Sequence, residues 1–478
     1  TTILVVLGLV AVFLVPRCAR AQRTALSGTD SALLARLLVA EDARATGLDG
    51  IKPLVDGMAN AHPVLRRVAI RALGRVQRPA QTRVLAVALD DPSPVIRAEA
   101  ANAVAQSVQS VPRGAAAGDS ARTAVREAKD ALVQRLVREA DVAVAGVIAR
   151  SLGRLPYADS AAARSVERTI AEQVGRVLGG AELFANLPPG AAHDVASGFY
   201  ALARTRRALG DPSRAALGML RAAAADRRDA RVRRVGLLGL GAAAALDSVT
   251  VLAASRDPDA QVRRLALAGV NSLSAQSRAA LVRRALADSS AMVRADAVRA
   301  ARGGSAPADC GPIIAATNDA NPHVLLAAID ALAAPCAGSG DGADRANTLR
   351  ALAESLTSVD PERHGASTPA PAGAQSWHAP AHALVSLAHA DSAAAITLLP
   401  RFVAHPRAQV REYAARAATQ LRDAGALRHL AGDSNDNVRE SAVAGLAQVQ
   451  RHTADSVFLA ALESSGYQVV IAAAAVVG

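Results

Sequence analysis

The chain reads as an all-α protein, an α-solenoid (superhelix) of stacked antiparallel helical hairpins. Three observations predict this. First, one phrase recurs: DPDAQVRRLALAGV (Asp257 to Val270) returns as DSSAMVRADAVRAA (Asp288 to Ala301), DPSPVIRAEAANAV (Asp91 to Val104) and DSNDNVRESAVAGL (Asp433 to Leu446). Each places an Asp six residues before an Arg, as in Asp91 and Arg97, Asp257 and Arg263, Asp288 and Arg294, and Asp433 and Arg439. Second, Arg66 to Arg97 and Arg263 to Arg294 both span 31 residues; a fixed period of that length, one helical hairpin per unit, marks a solenoid. Third, AVILMFWYC make up 51% of the chain but aromatics only 2%. Ala, Leu and Arg favour helices, and the strand-favouring aromatics are scarce.

The chain opens on an unbroken apolar run, ILVVLGLVAVFLV (residues 3 to 15), followed by Pro16 and RCARAQ. A span of about 20 residues is needed to cross a bilayer. The shorter run suits the core of a secretory signal, with Ala19 and Ala21 before Gln22 as the small residues of a cleavage site. Residues 1–21 are therefore expected to be a signal peptide or a short anchor, and the protein to be exported, periplasmic or held at the membrane by this segment. Arg17 stands where a lipoprotein site at Cys18 needs a small residue. Thr1 is expected not to be the true start.

Residues 22–50 read as a linker and a leading helix, Leu33 to Arg44. Residues 51–155 read as repeats, with a Gly/Ser/Ala-rich insertion at 107–123. In each second helix, apolar or small residues at i, i+3, i+4 and i+7 make one buried stripe. Pro63 and Pro94 suit a first helical turn, where a missing N–H costs nothing. Residues 156–226 lose the template and read as irregular hairpins. The array resumes over 227–336, breaks at a loop-rich insertion (337–376) in which Gly/Pro/Ser-rich loops at 337–346 and 359–375 bracket one helix, and returns over 377–478. The apolar ending AAAAVVG lacks the polar face of a capping repeat, so the natural protein is expected to continue.

The pattern DxxxxVRxxAxxAL on hairpins of about 30 residues resembles the short bacterial form of HEAT repeats, best at the four phrases above and loosely over residues 51–478. The resemblance implies a ladder in which the repeated Asp and Arg bond successive hairpins, the Asp in the interhelical turn and the Arg on the next helix's first turn. Asn60, Arg227 and His405 depart from the pattern at the Asp position, and Ala145, Leu325 and Val470 at the Arg position. The exported start and the LLVAEDARATG stretch are also similar to the N-terminal arm of bacterial HEAT proteins with a C-terminal cyclophilin-type peptidyl-prolyl isomerase domain. None of that domain's catalytic residues lie in this chain, so the activity implied would belong to a following part.

A formal charge of +12, almost all of it arginine because only Lys52 and Lys129 are lysine, invites a nucleic-acid reading. Against it stand the structural use of arginine in the repeats, the expected export, and the lack of aromatics on which single-stranded bases stack. The ladder arginines are expected to make structural bonds. The second members of the doubled arginines, Arg67, Arg234 and Arg264, are the better partner-binding candidates, and would meet an acidic peptide or a lipid headgroup.

His378 and His382 stand at i, i+4, with His389 beyond and His364 before. No Glu accompanies them as in HExxH, and Pro380 lies between; no metal is assigned. Trp377, the single tryptophan, reads as packed into the array. Cys310 and Cys336 fall at the same end of one hairpin, where export would permit a disulfide; a pair of buried thiols is the alternative. With no phosphate loop, nucleophile elbow or paired carboxylates, neither a catalytic residue nor a cofactor is nominated. The expectation is a scaffold that binds a protein or peptide on a concave surface. The alternatives are the client-binding arm of a longer exported isomerase and a basic HEAT-like nucleic-acid binder.

Overall fold

The computed structural model describes residues 26–44, 47–113, 117–178, 181–205, 210–302, 310–336, 341–356, 376–450 and 454–477. The apolar start and the loop at 359–375, His364 included, lie outside them. Among the described residues there are twenty-five α-helices and no strand. The chain divides into two compact units, Thr1–Ala158 and Asp159–Gly478.

In the first unit α1 (Gly28–Ala43) packs on the hairpin of α2 (Leu48–Met58) and α3 (Pro63–Arg75). It begins earlier than Leu33 because Ser27 caps it, its hydroxyl accepting from the Asp30 N–H at 3.1 Å. Two more hairpins follow: α4 (Thr82–Val87) with α5 (Pro94–Ser107), and α6 (Asp119–Arg138) with α7 (Val142–Gly153). The second helices α3, α5 and α7 pack on one another in sequence. Their close approach needs small residues: a Cβ on Gly74 would stand 2.7 Å from Ala103 Cα. The stretch read as an insertion at 107–123 is in part structure, for α6 starts within it and Val111 and Ala117 are buried.

The second unit repeats the same hairpin. α8 (Ser160–Leu178) precedes α9 (Pro189–Ala203), and α10 (Arg214–Ala224) precedes α11 (Ala230–Ala242). The region that lost the template is thus built like its neighbours, with α9 and α11 packed as consecutive second helices. Then come α12 (Ser248–Ala254) with α13 (Ala260–Ala266), α14 (Ala275–Leu286) with α15 (Ala291–Arg302), and α16 (Gly311–Ala316) with α17 (Pro322–Ala331). A 3-10 turn, Leu267–Ser272, prolongs α13. α18 (Asp341–Glu354) begins inside the segment read as a loop and pairs with α19 (His378–Ala390), so the insertion lies within a hairpin. The last pairs are α20 (Ser392–Val403) with α21 (Ala408–Leu421), α22 (Ala424–Ala431) with α23 (Asp436–Val449), and α24 (Asp455–Leu462) with α25 (Tyr467–Val477). One apolar core runs from Ala295 to Ala473, its interior filled by Leu, Ala and Val with Phe402 and Phe458 fully buried.

Candidate interaction surface

The turn between the two helices of a hairpin is set by one acceptor. Asp91 Oδ1 accepts the N–H of Ser93, Asp257 that of Asp259, Asp288 that of Ser290, Asp319 that of Asn321 and Asp433 that of Asn435, each at 2.8 Å. Such a side-chain bond to the backbone two residues on is the reason Asp favours turns. The carbonyl of the same residue accepts Nη1 of the arginine six residues later: Arg97 at 3.0 Å, Arg263 at 2.9 Å, Arg294 and Arg439 at 2.8 Å.

The other edge of each guanidinium crosses to the following hairpin. Arg66 reaches Asp91, Arg233 reaches Asp257, Arg263 reaches Asp288, Arg294 reaches Asp319, and Arg411 reaches Asp433, with Nε to carboxylate distances of 2.6 to 2.9 Å. Each arginine therefore holds its own turn and the next one. These pairs are largely buried, with Arg263 16% and Asp288 11% exposed at the side chain. The Arg263 guanidinium beside it holds the Asp288 carboxyl below its ordinary range, and Arg294 does the same for Asp319.

The positions that depart in sequence keep the same geometry with other atoms. Asn60 Oδ1, His405 Nδ1 and Ser464 Oγ each accept the N–H two residues on, at 2.7, 3.1 and 3.2 Å. Asp226, one residue before Arg227, does so for Arg228, and Arg233 Nη1 reaches the Asp226 carbonyl at 3.1 Å across a gap of seven residues. Arg97 finds Glu139 rather than an Asp, with Nε and Nη2 both 2.9 Å from its oxygens. Burial pushes the Glu139 carboxyl up, but bonds from Arg97, the Asp141 N–H and Arg135 outweigh it and hold it down at about 2. Glu139, Asp226 and Ser464 were invisible to the six-residue pattern. The clue available was a polar side chain just before each second helix.

The doubled arginines are engaged too. Arg67 bonds Glu99 at 2.8 Å, Arg234 grips Asp259 with Nε to Oδ1 at 3.0 Å, and Arg264 pairs with Asp296. All three link neighbouring second helices and carry no surplus charge. His382 is held between Asp330 at its Nδ1 and the Tyr413 hydroxyl at its Nε2, both at 2.7 Å. His378 turns away to stack on Trp377, with ring centroids 3.8 Å apart. Among the described residues no group of His, Cys, Asp or Glu is placed to hold a metal ion. Trp377 is partly buried against the core, edge-on to Tyr413 and under Arg407. Cys310 and Cys336 are joined in a disulfide, with Cα atoms 5.8 Å apart.

The second helices of the second unit carry a groove of about 580 Å³, formed by α9, α11 and the end of α13. Its floor is Leu237, Leu238, Leu246 and Leu265 beside Gly241 and Gly269, and its polar edge is Tyr200, Arg204, Asn271 and Ser272. Gly269 is required, because a Cβ there would drive into Val251. Arg204 lies over the Tyr200 ring, 5.8 Å from its centroid. Ala244 on the rim is left-handed, with φ 54°, an unfavourable conformation for a residue with a Cβ. A concave apolar site with a few convergent polar groups is the usual form of a ligand site.

The HEAT-repeat family model matches residues 51–117 and 394–477. These two stretches are HEAT repeats. No curated protein matches the chain. Among solved structures, the Kap95:Nup1 complex is similar at a TM-score of 0.52 and 13% identity, over 93% of this chain and 64% of that one. A Kap121p mutant gives a TM-score of 0.48 at 12% identity, over 94% of this chain and 52% of that one. Importin beta gives 0.42 at 14%, over 88% and 54%. The chain spans about half to two thirds of these chains, and the likeness to the Kap95 chain shows the fold alone, an all-helical solenoid.

Proposed function

We propose that the chain is a scaffold without chemistry of its own, binding an extended protein or peptide segment along the second helices. Within each unit the second helices pack closely on one another while the first helices touch sparsely, so the second-helix layer is the concave side. The groove over Leu238 carries this reading, because it offers a recess for an apolar side chain beside a cation and amide groups. Binding of protein segments by the solenoid class suits such surfaces, since each repeat adds a strip of contact. The test is a peptide-display selection on the intact chain, repeated with Leu238→Asp. Loss of the selected peptides with Leu238→Asp, and their retention with Val249→Asp on the opposite helix layer (78% exposed), is the expected outcome. Equal binding by both variants would remove the groove from the function.

Export is part of this proposal. The apolar run at residues 3–15 and the Cys310–Cys336 disulfide support it, because disulfides persist in oxidising compartments. An alkaline phosphatase fusion after residue 30 would be active if the segment exports, and inactive otherwise. A finer reading, the client-binding arm of an exported prolyl isomerase, rests on the LLVAEDARATG stretch and the repeat style. Prolyl isomerisation by the full-length gene product tests it.

A further inference from the structure

The ladder and the lateral pairs absorb many of the arginines, and a group of those outside the ladder stands on the second helices of the first unit. Five residues beyond each ladder position, the second helices present Arg71 on α3, Asn102 on α5 and Arg150 on α7. Four residues further they present Arg75, Gln106 and Arg154. Residues four apart share a helix face, so these six side chains form two adjacent rows across three stacked helices. Glu41 takes Arg75 at 2.7 Å, and Glu99 is taken by Arg67.

Two further arginines of this face, Arg71 and Arg154, meet no carboxylate among the described residues. Arg71 makes no ion pair or hydrogen bond, and its Nε is buried without a partner. Arg150 donates Nη2 to Asn102 Oδ1 at 3.0 Å. Arg154 is met by the amide of Gln109, whose oxygen, with the amide turned to face the guanidinium, accepts from Nη2. Burial and the charge of Arg150 lower the Arg154 pKa, the mark of a cation that lacks its counter-ion.

We propose that this face of the first unit binds the carboxylates of an acidic peptide segment running across α3, α5 and α7. Stacked helices lie about 8–10 Å apart, so the Arg71 and Arg154 ends are separated by roughly 20 Å. An extended chain advances about 3.3 Å per residue, and carboxylates about six residues apart would meet both ends. Between them, the Asn102 and Gln106 amides suit a peptide backbone, which needs both donors and acceptors. No aromatic residue stands on α3, α5 or α7 to stack a base, which favours a peptide over single-stranded nucleic acid. The site is separate from the groove of the second unit and rests only on the reading that second helices face partners.

The test is fluorescence anisotropy of the intact chain with fluorescein-labelled dodecaglutamate, its glutamine counterpart and a labelled twelve-nucleotide single strand. Arg71→Gln with Arg154→Gln is compared with Arg168→Gln with Arg214→Gln, which removes the same charge from exposed positions. We expect dodecaglutamate to bind and dodecaglutamine not to. The first pair should weaken binding about tenfold or more, as charge-assisted bonds are worth, and the second less than twofold. Leu238→Asp should leave this binding unchanged, so that failure of the groove and failure of this site are told apart. Equal weakening by both arginine pairs would reduce the effect to net charge and overturn the proposal, as would absence of binding, or tighter binding of the oligonucleotide with the same dependence on Arg71 and Arg154.

Discussion

Glu139→Gln isolates the ladder in its most buried form. The carboxyl is 1% exposed and joins Arg97 of one hairpin to Arg135 of the next, themselves 12% and 15% exposed. The amide keeps the shape and one acceptor but removes the charge, leaving two sequestered guanidiniums facing a neutral group. The displacement of the Glu139 pKa from 4.5 to about 2 corresponds to roughly 3 kcal/mol of preference for the ionised form, at 1.36 kcal/mol for each unit. Breaking a buried pair by removing one partner costs about 3–5 kcal/mol, which agrees. Because the chain has two units, a single unfolding midpoint is not well defined, and amide hydrogen exchange resolved by helix is the suitable assay. At pH 7 the amides of α5 and α7 should lose about a hundredfold in protection, while those of α22 to α25 keep theirs. The pH dependence has a definite sign. The folded pKa lies below the unfolded one, so the stabilisation is whole above pH 4.5 and is lost as pH falls toward about 2. The wild-type protein should therefore lose protection in α5 and α7, corrected for intrinsic exchange, across that window, and Glu139→Gln should not. Unchanged protection at pH 7 in the variant would show that Arg97 and Arg135 are served equally well by water, refuting a structural role for the pair.

Other perturbations follow from the same geometry. Arg263→Ala strands Asp288 and releases the Asp257 carbonyl; a loss of about 2–4 kcal/mol, read by exchange in α13 to α15, is expected. Reducing Cys310–Cys336 opens a loop of 26 residues, which chain entropy values at about 3.5 kcal/mol. Exchange in α16 and α17 should accelerate on reduction and recover on reoxidation. Gly74→Ala forces a methyl against Ala103 and should cost about 1–3 kcal/mol, although alanine is the better helix former. Ala244→Gly should have the opposite sign to most helix-end changes, gaining up to about 1 kcal/mol by relieving a left-handed alanine, as slower amide exchange in α11 and α12 would show.

The architecture was legible because its signal is redundant. The Asp and Arg of a ladder rung lie six residues apart and recur at 31, so four phrases were enough to set the repeat and the class of fold. What sequence did not reveal follows from how little the turn demands. It needs an acceptor within reach of the N–H two residues on, and Asn60, Glu139, Asp226, His405 and Ser464 all meet that need with different atoms and reach. A letter-by-letter template counts them as breaks, whereas the backbone does not distinguish them. The region 156–226 was obscured for a related reason: its helices α8 to α10 lack the Asp–Arg phrase, and α10 packs on α11 through close approaches at Gly236 and Gly239 to Ala223, Ala224 and Leu220. The doubled arginines Arg67, Arg234 and Arg264 looked available because their partners Glu99, Asp259 and Asp296 lie on the next helix, 25 to 32 residues away. Proximity across a stack is not written in local sequence, and for the same reason the unbalanced cations turned up at Arg71 and Arg154 instead.

The ladder is interrupted in the second unit at Leu325, and the position has a mechanical meaning. Leu325 stands where the hairpin of α16 and α17 should extend an arginine to its successor. That same hairpin receives Arg294 through Asp319 and is the one closed by Cys310–Cys336. A load drawn along the second unit is shared by guanidinium clasps from Arg233 to Asp319; beyond α17 it passes instead through His382, which bonds Asp330 of α17 and Tyr413 of α21, and through the Arg350–Asp391 pair, until Arg411 clasps Asp433. Under tension the stretch from α17 to α21, tied by these single side-chain contacts, should yield before the clasped junctions on either side, while the covalent loop keeps the hairpin of α16 and α17 from fraying. The second unit thus carries one differently fastened stretch between two clasped ones, with a covalently closed hairpin at its edge.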